Sequence, residues 1–138
     1  MTAMVEYINP EGTGPAQGLY SHVTYVPAGP LLFIAGQLAV ARNGDVVGKG
    51  DFDRQFEQIF QNIADVLKGM NVTFDHIVRF STFFVHSQDI GKFMDARARL
   101  FPKIFKGPLY PPNTILVVDR LVKEEFLLEI DVIARAAG

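Results

Sequence analysis

At 138 residues and 15.3 kDa the chain has the length of one compact domain, 1–138. Its 49% hydrophobic content, with 12 Phe, is enough for a core and for an interface between subunits. Thirteen basic residues against fifteen acidic ones, and a pI near 5.9, exclude the electrostatic footprint of a protein that tracks phosphate backbones, so no nucleic acid partner is expected. The lack of Cys excludes disulfides and thiolate chemistry, and no apolar run approaches the ~20 residues of a membrane helix or follows a basic start, so the expectation is a cytoplasmic protein without a membrane partner.

Residues 10–18 hold Pro10, Gly12, Gly14, Pro15 and Gly18, which favour an irregular exposed loop leading into Tyr20. The β-prone runs 22–27 and 31–40, separated by Ala28-Gly29-Pro30, predict a hairpin, and Asn43-Gly44 predicts the next turn. From Asp51 the period lengthens: Phe52, Phe56, Ile59, Phe60, Ile63, Val66 and Leu67 recur at helical spacing, with Asp51 as N-cap and Gly69 as left-handed terminator.

Residues 76–85 predict a strand with Val78, Phe80, Thr82 and Phe84 on one face and Ile77, Arg79, Ser81, Phe83 and Val85 on the other, covered on both sides. A second helix is expected over 88–105, kinked or broken at Pro102. After the stiff connector 106–112, residues 113–118 and 125–134 predict two final strands. The fold class is therefore α+β in the order β-β-α-β-α-β-β, with another short strand near Val5. Both helices would pack on one face of a mixed sheet of about five or six strands. With no third helix to cover the other face, the sheet of another subunit is the expected cover, which makes the protein an oligomer.

No phosphate-cradling loop, nucleophile elbow or helical His pair is present, and His22, His76 and His86 are scattered, so neither a metal nor a cofactor is expected. Ala35-Gly36-Gln37 interrupts an apolar run with a glycine, which suits either a bulge or the close approach of a ligand. Glu129 shares a strand face with Leu127 and Asp131, where two acids point to solvent or an interface, or to a site carboxylate. Arg97, four residues before Phe101, lies on or beside the buried stripe of its helix. Its stem either snorkels past the core or presents a fork of donors to a ligand carboxylate.

Gly18-Leu19-Tyr20-Ser21-His22, Leu32-Phe33-Ile34-Ala35-Gly36-Gln37-Leu38, Gln61-Asn62-Ile63, Thr82-Phe83-Phe84-Val85 and Leu128-Glu129-Ile130-Asp131-Val132-Ile133-Ala134 occur in the order and at the intervals of the Rid family, the YjgF-type reactive-intermediate deaminases. The resemblance covers nearly the whole chain. It implies a chorismate-mutase-like subunit in a homotrimer with pockets at the subunit interfaces. It further implies hydrolysis of enamines and imines such as 2-aminoacrylate to ammonia and a 2-keto acid, with an arginine on the substrate carboxylate and a glutamate holding the attacking water. By position the glutamate is Glu129, the pocket tyrosine Tyr20, and the backbone beside the substrate Gly36 and Gln37.

Where the family carries its arginine, after a proline-rich connector, this chain has Asn113, which forgoes about 1.5–3 kcal/mol of charge-assisted bonding. Ala35 stands where the deaminase branch usually has Ser. Arg97 is the candidate replacement for the missing charge. Two functions follow from the resemblance: an imine or enamine hydrolase in which Arg97 anchors the anion, Asn113 and Gln37 orient it and Glu129 positions water, or a non-catalytic metabolite-binding module. Endoribonuclease activity, also assigned within the family, fits an acidic chain poorly.

Overall fold

The structure, a computed structural model, describes residues 4–137. Two short strands, β1 (Glu6–Ile8) and β2 (Val23–Tyr25), form an antiparallel ribbon of their own. The main sheet contains β3 (Leu31–Gln37), β4 (Ile77–Phe84), β5 (Asn113–Val117) and β6 (Leu128–Arg135) in the order β3-β6-β4-β5, with β4 and β5 parallel and the other pairs antiparallel. Helices α1 (Phe52–Gly69) and α2 (Asp89–Ile104) pack on one face of it.

The helical period of 52–67 is realised as the buried stripe of α1, on which Phe60 meets Phe80 of β4 and Phe101 of α2 at ring-centroid distances of 5.9 and 5.8 Å. Such aromatic pairs contribute about 0.5–1.5 kcal/mol each beyond their buried area. Asp51 caps the helix as expected, its carboxylate accepting from the Arg54 amide at 3.1 Å. The far end differs from expectation: Gly69 is still helical, and the left-handed residue is Asn71 at φ 59°, after which the Val72 amide reaches back to the Leu67 carbonyl. Asparagine tolerates this conformation, so glycine is not required.

Three other expectations are corrected. Ala28-Gly29-Pro30 does not close a hairpin. It carries the chain from the ribbon to the main sheet, because β6, not β2, takes the hydrogen-bonding edge of β3, with Leu31 opposite Arg135. Arg135 clasps that turn, donating to the Ala28 carbonyl at 2.8 Å across the bare Cα of Gly29. The main sheet accordingly has four strands rather than five or six. Finally, α2 runs through Pro102 to Ile104; Pro102 is exposed in the last turn, where its missing N–H forfeits one bond and the Phe105 amide still closes on Phe101.

One polar side chain pins the layers together. Gln55 of α1 is fully buried, donates to the carbonyls of Gly48 and Glu125, and accepts from the Leu127 amide at 2.9 Å. It thereby fixes the approach to β6 and the alternation of its faces: Leu128, Ile130, Val132 and Ala134 inward, Leu127, Glu129, Asp131 and Ile133 outward.

Candidate functional site

The outer sheet face, opposite the helices, is only partly covered. Phe33 on it is 76% exposed and Leu116 44%, an apolar pattern unusual for a surface that meets only water. Glu129 stands on this face in the row of Phe83 and Leu116. The register slips between Ile34 and Gln37, so both readings of Ala35-Gly36-Gln37 apply: there is an irregularity, and it brings Gly36 against Glu129 so closely that any side chain at 36 would overlap the carboxylate. Gln37 folds back onto the Ala35 carbonyl at 3.0 Å.

Burial pushes the Glu129 carboxyl above the usual carboxylate range, and Asp131 on the same face adds to the shift. Because the folded state binds this proton more tightly than the unfolded chain, Glu129 subtracts stability as pH rises from the ordinary glutamate range through its raised value. The melting-temperature gain of Glu129→Gln over wild type is therefore expected to be larger at pH 8 than at pH 4. Equal gains at the two pH values would contradict the shift.

Arg97 is buried, 1% exposed, on the inner side of α2. Its guanidinium lies 5.0 Å from the Phe93 ring centroid and 6.0 Å from that of Phe101, and Nη2 donates to Met94 Sδ. Nε and Nη1 have no partner. Gly18 covers it so closely that a Cβ there would strike the guanidinium, and Tyr20 is near enough to oppose the burial that pushes its pKa down to about 10. Arg97 is thus charged at neutral pH and roofed by the Gly18–Tyr20 loop.

Tyr20 and Asn113 line a concavity of about 390 Å³ together with Ser21, Arg79 and Thr114. Asn113 is oriented by the buried Thr82 hydroxyl, which donates to its Oδ1 at 2.7 Å. The candidates therefore fall into three places: Glu129, Gly36 and Gln37 on the outer face, Tyr20 and Asn113 at the concavity, and Arg97 behind the loop. One copy of the chain does not bring Glu129 and Arg97 together. Sequence reasoning placed Arg79 on the strand face of Ser81 and Phe83, where the structure has it, but gave it no role, because a lone arginine in a strand matches no motif. His22 and His86 are exposed and His76 closes a local turn through Nδ1, and no group of three potential ligands among the described residues is arranged to hold a metal. No helix among the described residues is long and apolar enough to cross a membrane.

Two helices on one face of a mixed sheet, with a bulged glycine beside an outward glutamate, define an α+β subunit of YjgF type. The family model described as Endoribonuclease L-PSP matches residues 12–136. A RutC family protein of Pyrococcus horikoshii is 30% identical over 132 residues, 95% of this chain and 98% of its own length. Protein DfrA of Myxococcus xanthus is 29% identical over 125 residues, 91% and 88% of the two chains. The crystal structure of YyfB from Yersinia pestis, described as a conserved Rid family protein of unknown function, matches with a TM-score of 0.84 at 30% identity, covering 96% of this chain and 99% of that one. The chain belongs to the Rid family.

Proposed function

We propose that this protein binds a small carboxylate-bearing or carbonyl metabolite in a pocket completed by further copies of the chain, as a homotrimer, and hydrolyses an enamine or imine there. The observation that carries this reading is the Glu129 carboxylate lodged on the backbone of Gly36, with its proton affinity raised by burial and by Asp131. A carboxylate so tuned is suited to orient water and take its proton as the water attacks an imine carbon. The exposed Phe33 and Leu116 on the same face support burial against a second copy. Tyr20 and Asn113 would contact the ligand, Gln37 would orient it, and Arg97, from behind the loop, would supply positive potential.

Freshly generated 2-aminoacrylate and a panel of imines are expected to release ammonia in the presence of the protein, and Glu129→Gln is expected to lower that rate about 100-fold or more. Stabilisation by a ligand without any ammonia release would replace this reading with the second one, a metabolite-binding module. That alternative is favoured by Asn113, whose Oδ1 is committed to Thr82 and which brings no charge. Endoribonuclease activity, named in the family description, has little support in a chain of net charge −2.

A further inference from the structure

The buried guanidinium of Arg97 is short of acceptors. Nη2 donates to Met94 Sδ at 3.0 Å while Nε and Nη1 have no partner, and a thioether sulfur is a weak acceptor. Arg97 takes part in none of the ion pairs among the described residues, and the rings of Phe93 and Phe101 answer its charge without offering a lone pair. Met94 lies three residues earlier on the same side of α2, and Gly18 closes over both: a Cβ at 18 would strike the guanidinium and stand 3.5 Å from the Met94 sulfur.

We infer that Met94 is an oxidation-sensitive latch, whose sulfoxide supplies the buried Arg97 guanidinium with the strong acceptor it lacks. The oxidant is a peroxide arriving from outside the molecule. A lone pair of Sδ attacks one peroxide oxygen, and the O–O bond breaks as the S–O bond forms. The second oxygen leaves as water, or as an alcohol from an organic peroxide, taking up the proton that the transferred oxygen loses. Sulfur gives up two electrons and the peroxide gains them. Met94 is half-buried, while Met70 and Met4, at 49% and 38% exposure, are freer and have no guanidinium recorded against them.

The geometry sets the sign of the effect. In an apolar core a sulfoxide destabilises, because it introduces a polar group with no partner. Beside Arg97 the partner is already in place: the new oxygen stands one bond from the sulfur that Nη2 contacts, and a hydrogen bond to a charged donor is roughly twice as strong as a neutral one. Oxidation thus offsets part of the desolvation cost of an unpaired buried cation. It also turns the negative end of the S–O dipole toward the guanidinium and weakens the positive potential behind Tyr20. That consequence for the ligand rests on the proposed function, whereas the latch itself does not. Methionine sulfoxide reductases return the thioether, so the latch can be reset.

The test is thermal unfolding of the full-length protein, carrying Met4→Leu and Met70→Leu, before and after graded hydrogen peroxide, with conversion at Met94 read by peptide mass spectrometry. Oxidation of Met94 is expected to raise the melting temperature by about 3 °C or more, to shift the Arg97 Nε–H signal in 15N-resolved NMR, and to be undone by methionine sulfoxide reductases. In the same background, peroxide is expected to leave the melting temperature of Met94→Leu unchanged and to lower that of Arg97→Leu, where the sulfoxide finds no donor. Three results overturn the inference: a fall in melting temperature on oxidation with Arg97 in place, an equal change in Arg97→Leu, or a Met94 that stays reduced at peroxide levels that fully convert Met70 of the wild type. A higher melting temperature with an unchanged rate of ammonia release sustains the latch and removes Arg97 from the ligand site. No ammonia release in either state removes the proposed hydrolase and leaves the latch standing.

Discussion

Arg97→Met is expected to raise the stability of the protein by about 1–3 kcal/mol, visible as a melting temperature higher by several degrees in calorimetry. The wild-type guanidinium is 1% exposed, has no carboxylate partner, and leaves Nε and Nη1 without hydrogen bonds. Each unpaired donor costs roughly 1–3 kcal/mol of desolvation, more when charged, and contacts with the Phe93 and Phe101 rings return only part of it. Methionine has a similar length, no polar hydrogen to leave unpaired, and a sulfur that packs well beside aromatic rings and Met94. In the proposed function the property that would offset this cost is the positive charge behind Tyr20. The variant is therefore expected to lose affinity for carboxylates while gaining stability. A melting temperature lower than wild type would show that Arg97 belongs to the structural framework.

Gly36→Ala is expected to destabilise the subunit by about 1–3 kcal/mol, because the added methyl overlaps the Glu129 carboxylate and the chain must move one of them. In a Glu129→Ala background the same change is expected to cost less than about 0.5 kcal/mol, since the obstacle is gone. The coupling read from this double-mutant cycle by denaturant unfolding measures the contact directly. Additive effects would mean that glycine is needed at 36 for its backbone alone.

What could be read in advance depended on how local the cause was. Helix α1 follows from its own spacing of Phe and Ile and from Asp51, all within 18 residues of one another. The outward placing of Glu129 follows from counting along β6, and the spacing of Arg97 to Phe101 puts it on or beside the buried stripe of α2 without deciding whether its head group is buried, as it is. The partner of β3 could not be read this way, because it lies about a hundred residues away and the Ala28-Gly29-Pro30 turn has the composition of a hairpin. The inward turn of Ile77, whose pairing with β6 slips relative to that of Arg79, was hidden for a different reason. A bulge is set by Tyr7 and Thr24 binding the carbonyls of Ile77 and Val78, and carbonyls have no identity in a sequence. The site residues themselves came from position within family motifs, and chain geometry then sorted them into three separate places.

The pairing of β3 with β6 also constrains how the protein is made. Leu31 meets Arg135, so β3 has no neighbour in the main sheet until β6, about a hundred residues further along, has been synthesised. At ribosomal speeds of about 5–20 residues per second, that interval is roughly 5–20 s. Throughout it the strand carrying Phe33 is an unpaired, apolar edge, the kind of segment that other nascent chains or chaperones capture. The last strand to emerge is thus the one that joins β3 to the rest of the sheet, and it also carries Glu129, so Glu129 enters the fold with the strand that closes the sheet.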